Sequence, residues 1–555
     1  MSGFLSRDRL LQGPWSAFER AIVRYYLHIG SISVYYTGGP GDKGCDIFVL
    51  DENGDKIVVQ CKFTISDKPA GKSGIDDLRR GCFEYSANKG ILCINSRSIS
   101  QSAQNEIDEL ISLGLEIDTL AYHQLLKMGK DISLYSLKRK KPREYQEEAI
   151  ESALDSLTSS GKSLVEMATG LGKTIVLSEV VNRLLAKEPE WKVLILADKK
   201  AIVSQVEKSI WSQLSKNIIT HIMTGSEKPR FSKGVTIATF DSLLSAYRND
   251  GDLPDYDLVL VDECHHAHAT SYSRILDVVS ANSPLMGVTA TPWRGDEKDI
   301  TEIFGKPIYQ KGIIEGINEG WLANINYEMY CDNVDWDAVA ALSVEGHTIK
   351  TLNSKLFLPA RDEQMVEKVK AKWLELDKPK IITFCKSKKH AELMSNLFNE
   401  MDLPSRYLTG DHSEKQRATT FADFSTGEFN NLIGVDILNE GVDVPDVELI
   451  VFARITHSRR IFVQQLGRGL RVTDSKTEVS IMDFVADIRR LGALSKLNRK
   501  ARKTEHYRNS GADLVEFDAQ IKNKFTEEYL SDIADLNEHE KTKLDFIDNF
   551  DDYEI

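Results

Sequence analysis

Residues 167–174 read Met-Ala-Thr-Gly-Leu-Gly-Lys-Thr and close the apolar run Ser163–Met167. A strand that enters a glycine-rich turn and reopens as a helix on Lys173-Thr174 surrounds phosphates with backbone N–H groups and a helix N-terminus. Further on stands Val261-Asp262-Glu263-Cys264-His265, with Asp262 89 positions beyond Lys173. The apolar strand before it delivers two adjacent carboxylates to the same place. Thr169, Gly170, Gly172, Lys173 and Thr174 are expected to hold the phosphates of a nucleoside triphosphate. Asp262 and Thr174 are expected to hold its Mg²⁺, while Glu263 orients and deprotonates the attacking water. The pair of motifs reads as an NTP-hydrolysing motor.

Outward from that core, 555 residues make room for three or four domains, and 41% hydrophobic content supports packed cores. No run of about 18 apolar residues occurs, so no membrane span is expected. The start, Met-Ser-Gly-Phe-Leu-Ser-Arg-Asp-Arg, has no apolar signal region. Seven cysteines without paired motifs point to free thiols in a reducing cytoplasm. A net charge of −14 excludes a generally basic coat but not DNA, because phosphate contacts need local clusters. Lys138-Arg139-Lys140-Lys141-Pro142-Arg143 and Arg499-Lys500-Ala501-Arg502-Lys503 are two such clusters; each is equally readable as a solvated linker.

The segment 1–130 carries a helix over 15–29, strands at Ile32–Tyr36, Asp46–Leu50, Ile57–Phe63 and Ile91–Ile94, and a helix near 99–113. Asn53-Gly54 marks a hairpin turn. After the basic linker 131–141, strands and helices alternate. The first series is Ser163–Met167, Val193–Ala197, Val235–Thr239, Leu258–Val261 and Met286–Thr289. The second is Lys380–Cys385, Arg406–Thr409, Leu432–Val435, Leu449–Ala453 and Val479–Phe484. Continuous apolar strands separated by helices predict parallel sheets covered on both faces. Residues 333–362 fit neither series and read as a connecting element. The charged stretch 488–555 reads as a short helical tail.

The motor motifs resemble those of superfamily 2 helicases and translocases over about 142–487. The (Ala/Ser)-Thr-Gly-x-Gly-Lys-Thr loop is the helicase-like variant, with Met167 where the strict phosphate loop has glycine. The resemblance implies two RecA-like doubly wound lobes, 142–325 and 326–487, and ATP as the nucleotide. Pro142-Arg143-Glu144-Tyr145-Gln146 looks like the adenine-reading segment, with Gln146 on the base. Thr289-Ala290-Thr291-Pro292 looks like the motif that couples nucleotide state to lobe closure. Thr239-Phe240 and the Gln205 region match segments that touch the nucleic-acid backbone, although Asp198-Lys199-Lys200 replaces the usual Pro-Arg. Gly441-Val442-Asp443-Val444-Pro445 places Gly441 and Asp443 at the nucleotide. In Gln464-Gln465-Leu466-Gly467-Arg468-Gly469-Leu470-Arg471 the matching positions make Arg468 and Arg471 the arginine fingers. Glu440, where many RNA helicases have arginine, and Thr-Ala-Thr-Pro-Trp-Arg at 289–294 lean toward the motors of restriction enzymes and DNA repair. Zinc at Cys264, His265, His266 and His268 is not expected, since split-pair ligand spacing is missing.

Near the N-terminus stands Gly38-Gly39-Pro40-Gly41-Asp42-Lys43-Gly44-Cys45-Asp46-Ile47, followed by Val58-Val59-Gln60-Cys61-Lys62-Phe63. Period-2 geometry points Gln60 and Lys62 to one face, where Asp46 on the hairpin partner can meet them. Asp46 and the Gln60 carbonyl can hold Mg²⁺, and Lys62 can stabilise charge or orient the attacking water. Cys45 and Cys61 are expected to turn to the opposite face as packing residues. Over about 13–128 this segment resembles the Mrr-like branch of the PD-(D/E)xK nucleases. That implies a restriction-endonuclease-like α/β/α domain and adds Glu19, from the Phe18-Glu19 helix start, as a further metal ligand. Gln60 replaces the acidic residue of the broad superfamily, as is usual in the Mrr-like branch, and removes one negative charge.

The expected whole is an α/β chain with nuclease first and motor second, resembling the restriction subunit of type I systems. The reading is an ATP- and Mg²⁺-dependent enzyme on duplex or branched DNA, with a protein partner able to supply target recognition. A repair enzyme cutting branched DNA, or an ATPase switch whose nuclease fold only binds DNA, are the alternatives.

Overall fold

A computed structural model describes residues 3–12, 14–38, 43–64, 69–197, 200–224, 233–250, 253–264, 270–290, 300–330, 362–435, 447–453, 478–484 and 515–517. Three sheets organise them.

The first sheet belongs to the N-terminal domain, with elements α1 Arg7–Gln12, α2 Trp15–His28, β1 Ser33–Tyr36, β2 Ile47–Leu50, β3 Lys56–Lys62, α3 Ser73–Tyr85, β4 Lys89–Ile94, α4 Gln101–Ser112, β5 Glu116–Leu120 and α5 Tyr122–Asp131. Its strands run in order β1-β2-β3-β4-β5, antiparallel across the first two junctions and parallel across the last two. Strand alternation sorts the core into two layers. Ile47, Val49, Ile57, Val59 and Cys61 pack with α2 and α5, while Phe48, Val58 and Leu92 pack with α3 and α4. Asn53-Gly54 sits in a five-residue loop, 51–55, whose Asp51 carboxylate accepts the N–H groups of Asn53 and Asp55. Cys61 faces α2, as alternation requires. Cys45 instead packs with Val58 on the α3 side, because it lies before β2 and outside the alternating register.

The second sheet, the motor's first lobe, is wholly parallel, ordered β12-β6-β11-β10-β7-β9-β8. These strands are β6 Lys162–Met167, β7 Lys192–Ala197, β8 Thr220–Met223, β9 Gly234–Thr239, β10 Leu258–Asp262, β11 Leu285–Thr289 and β12 Pro307–Lys311. Helices α6 Glu144–Ser159, α7 Lys173–Lys187, α8 Lys200–Trp211, α9 Phe240–Asp250, α10 Thr270–Val279, α11 Thr301–Phe304 and α12 Ile313–Asn318 accompany them.

The third sheet is also parallel, ordered β15-β16-β14-β17-β18-β13-β19, and starts at β13 Asn324–Tyr330. Its other strands are β14 Lys380–Cys385, β15 Ser405–Leu408, β16 Asn431–Gly434, β17 Val447–Ala453, β18 Glu478–Phe484 and β19 Val515–Phe517. Helices α13 Asp362–Glu375, α14 Lys388–Glu400 and α15 Glu414–Thr426 pack with it. The α/β plan expected from the sequence, one mixed sheet and two parallel lobes, is present. β5, β8, β12, β13 and β19 were not anticipated. Within 488–555, the described residues are β19, a strand paired with Tyr327–Met329; the rest of the expected helical tail lies outside the described residues, as does most of 333–362.

The N-terminal domain is seated on both lobes by unlike seams. Against the first lobe, the buried Arg24 guanidinium donates to the Ile218 and Ser215 carbonyls at 2.6 and 2.9 Å and lies 4.4 Å from the Phe4 ring. Arg20 pairs with the buried Glu207 at 3.1 Å. The Lys216 ammonium donates to the carbonyls of Gly129, Lys130 and Ile132 at the end of α5, where a cation suits the helix dipole. Against the second lobe, the contacts gather on α15. Lys56 pairs with Asp423 at 3.0 Å, Lys415 with Glu84, Tyr35 stacks on Phe421, and Ala418 and Ala422 join the α3–α4 core. These ion pairs are partly exposed.

Candidate active sites

In the first lobe, β6 ends at Met167 and α7 begins at Lys173, so the loop 168–172 forms the turn that the sequence predicts. Gly170 and Gly172 have φ of +91° and +82°, a left-handed backbone that glycine alone adopts without strain. A Cβ on Gly172 would lie 2.4 Å from Gln146 Nε2. β11 lies between β6 and β10, which places Thr289-Ala290 between the phosphate loop and the acidic pair. The Lys173 ammonium bonds Glu263 Oε1 at 3.0 Å. Glu263 has φ of +48°, an uncommon backbone for a residue with a side chain, and its N–H donates to Asp262 Oδ1 at 3.0 Å. Burial first, and then the Glu263 charge, push the Asp262 carboxyl up to about 6, against the pull of Lys173. Two half-buried carboxylates beside one ammonium suit a hard cation and its waters. Thr169, Gly170, Gly172, Lys173 and Thr174 all line or follow this turn, half-buried.

Gln146 does something other than what its motif suggests. Its Nε2 donates to the Leu171 carbonyl at 2.7 Å and its Oε1 accepts the Arg143 N–H at 2.9 Å. It latches the start of α6 to the phosphate loop, and with both ends of the amide engaged it does not present them to a base. Beside it, Trp321 packs on Tyr145 at 5.0 Å between centroids, and Arg143 lies 5.4 Å from the Trp321 ring. This aromatic and cationic corner escaped the sequence reading because Trp321 lies 175 positions beyond Gln146.

Thr239 and Phe240, matched to nucleic-acid contacts, are buried. Thr239 Oγ1 accepts the Ser242 N–H at the start of α9, and Phe240 stacks on Tyr272 at 4.4 Å. Their side chains serve the fold. In the basic linker, Lys138 bonds the Ser31 and Ile32 carbonyls and Arg139 pairs with Glu179 at 2.7 Å. Those two cations are structural, while Lys140 and Lys141 are exposed. Gly441, Asp443, Arg468, Arg471, His265, His266, His268 and 499–503 lie outside the described residues; Cys264 is buried.

The N-terminal site draws on α2, β3 and the turn before β2. Asp46 Oδ2 accepts Gln60 Nε2 at 2.6 Å and the Cys61 N–H at 2.7 Å. Asp46, Gln60 and Glu19 are each about 5% exposed or less. Gly38 donates its N–H to the Asp46 carbonyl at 3.0 Å, and a Cβ there would lie 3.1 Å from Glu19 Oε2. The same Glu19 oxygen accepts the Tyr36 hydroxyl at 2.6 Å; burial, and then the Glu19 charge, push Tyr36 well above the usual phenol range. Among the described residues no three of His, Cys, Asp or Glu group to hold a metal. The third oxygen donor here is an amide. Gln60 Oε1 is buried with no protein hydrogen bond, an acceptor left for a cation or its water. Two carboxylates and one orphaned carbonyl fit Mg²⁺ with solvent completing its shell. Lys62 does not meet Asp46. Its ammonium pairs with Asp77 on α3 at 2.7 Å, a partner that nothing in the motif announces.

Comparison with known proteins falls along the same divisions. Residues 10–128 match a restriction endonuclease family of the Mrr catalytic type, 139–294 the type III restriction enzyme res subunit, and 363–473 the helicase conserved C-terminal domain. A putative ATP-dependent helicase of Saccharomyces cerevisiae is 27% identical over 62% of this chain and 51% of its own length. The endonuclease subunit of the type I restriction enzyme EcoAI, from Escherichia coli, is 25% identical over 62% of this chain and 46% of its own. The chain thus spans about half the length of the curated relatives it matches. In fold it is similar to the ATP-dependent type ISP restriction-modification enzyme LlaBIII bound to DNA, with a TM-score of 0.52 and 16% identity, over 94% of this chain and 42% of that one. No helix among the described residues is long and apolar enough to cross a membrane. The chain therefore carries a res-subunit-type domain and a helicase C-terminal domain, the two parts of a superfamily 2 motor, behind an Mrr-like restriction endonuclease domain at its N-terminus.

Proposed function

We propose that this chain is an ATP-dependent DNA translocase coupled to a Mg²⁺-dependent endonuclease, acting in restriction or defence against foreign DNA. The observation that carries the reading is the buried Asp46–Gln60 pair with its orphaned carbonyl, on a domain seated against a complete phosphate loop and acidic pair. At the motor, Gly170, Gly172, Lys173 and Thr174 would cradle the phosphates of ATP, with Asp262 and Thr174 toward Mg²⁺. Arriving phosphates would draw Lys173 from Glu263, freeing that carboxylate to orient water. Arg468 and Arg471 would stabilise charge at the γ-phosphate when the lobes close. Gly441 and Asp443 would line the same nucleotide cleft. Gln146 would support the loop and read adenine only by exchanging its present bonds.

At the nuclease, Asp46, Glu19 and the Gln60 carbonyl would hold Mg²⁺, and Lys62 would neutralise charge on the phosphodiester. Bound there, the metal ion supplies Lewis acidity and a more acidic water. Duplex DNA is the proposed substrate, and target choice would come from a partner, as the similarity to a type I restriction subunit suggests. The similarity to a putative ATP-dependent helicase of Saccharomyces cerevisiae leaves room for the second reading, a repair enzyme that cuts branched DNA.

Cleavage of linear and branched duplexes with Mg²⁺ tests both. Asp46→Ala is expected to lower cutting by about 10²–10⁴-fold and leave DNA-stimulated ATP turnover intact. Equal cutting by the variant would refute the nuclease assignment, and strong preference for branched DNA would favour the second reading.

A further inference from the structure

The ion pair between Lys62 and Asp77 is at odds with a lysine that should face a phosphodiester. Asp77 sits on α3, and α3 is locked to the metal-side turn by close backbone contact. A Cβ on Gly44 would lie 2.1 Å from the Asp77 carbonyl oxygen, and one on Gly81 would lie 2.4 Å from the Gly44 carbonyl oxygen. A Cβ on Gly74 would lie 3.1 Å from Lys62 Cγ. One helix therefore touches the turn leading to Asp46 and the stem and head of Lys62. Its far end meets the second motor lobe: Glu84 pairs with Lys415 of α15, whose ammonium also lies 5.6 Å from the Tyr85 ring.

The seams decide which contact yields when the lobes move. Arg24 and Glu207 are 2% and 1% exposed at the first-lobe seam. The side chains of Lys415 and Glu84 are 26% and 31% exposed at the second. Buried charges are far harder to separate than partly exposed pairs. Relative motion of the lobes would fall on the second seam, where Glu84 of α3 meets α15 beside Lys56 of β3 and Tyr35 of β1.

We propose that Asp77 is a positioning residue that withholds Lys62 from the DNA backbone, and that α3 releases Lys62 when the second lobe moves and draws on Glu84 through Lys415. The nuclease would then follow the nucleotide state of the motor. This inference rests on the proposed nuclease and motor reading of the same sites.

The test is acylation of Lys62 in the full chain by an amine-reactive ester, read by mass spectrometry, with and without a non-hydrolysable ATP analogue and in the absence of DNA, which would itself cover a released Lys62. Wild type is expected to label about two- to five-fold more with the analogue, as a half-exposed ion pair opens. Asp77→Asn should label at the higher level in both conditions, and Glu84→Gln should stay at the lower level in both. Wild-type labelling that ignores the analogue, or equal labelling of wild type and Asp77→Asn, would overturn the proposal. Asp46-dependent cutting is scored in parallel. If cutting is missing while the labelling pattern holds, the nuclease reading fails and the coupling stands. If cutting is present while labelling is flat, the coupling alone fails. Asp77→Asn should also cut without ATP, whereas a merely structural Asp77 would lower cutting equally in both states.

Discussion

Asp46 and Gln60 meet at 2.6 Å across one hairpin of a single sheet, whereas the proposed motor chemistry would be shared between two sheets. Lys173 and Glu263 meet at 3.0 Å in the first lobe, but the arginines proposed for the γ-phosphate, at 468 and 471, fall in the sequence between β17 and β18 of the second. A site built within one sheet has its geometry set by folding, since strand register fixes which side chains share a face. A site divided between lobes has geometry set by domain motion, and so can be switched by its ligand. The nuclease site would become switchable through Lys62, which is held by Asp77 on a helix outside its hairpin.

The largest expected effect lies on the divided site. Arg468→Ala should reduce DNA-stimulated ATP turnover by about 10³–10⁵-fold, with the fold and ATP binding retained; steady-state turnover and nucleotide binding measured together check this. A loss of binding instead would show that closure is not what the arginine serves. The seams come next. Arg24→Ala should cost about 3–5 kcal/mol by stranding buried carbonyls and leaving a cavity, while Asp423→Ala should cost about 1 kcal/mol or less. Urea unfolding of the full chain compares them, and similar costs would remove the basis for a fixed first seam and a yielding second one. The smallest effect is at Gln60. Gln60→Glu restores the missing negative charge and should lower the Mg²⁺ concentration for half-maximal cutting by about 10–100-fold. An unchanged Mg²⁺ dependence would remove the Gln60 carbonyl from the metal's shell.

Much of this was legible in the sequence because it is local. The apolar runs that became β6, β7, β9, β10 and β11, and β14, β16, β17 and β18, are largely buried and read as hydrophobic stretches. The missed strands lie mostly at sheet margins. Pro307–Lys311 at one edge is only half-buried and mixes polar with apolar residues, so it carries no clear period. The pairing of Asp46 with Gln60 followed from alternation, but Asp77 did not, because a helix inserted between β3 and β4 supplies it. The bonds of Gln146 and Thr239 to the protein's own backbone were illegible for a related reason. A motif tells which residue types stand together, while burial and hydrogen bonding decide whether a side chain faces a ligand or the protein's own backbone. Trp321 and the α15 seam depend on contacts across more than 170 residues, which spacing along the chain does not encode.

The central claim is that one chain couples an ATP-driven motor to a nuclease, and it is tested most directly by cutting of linear duplex with Mg²⁺, with and without ATP, by wild type, Lys173→Ala and Asp46→Ala. Wild type is expected to show ATP-stimulated cutting, Asp46→Ala almost none, and Lys173→Ala cutting that no longer responds to ATP. Full ATP stimulation of cutting in Lys173→Ala, or undiminished cutting by Asp46→Ala, would contradict it.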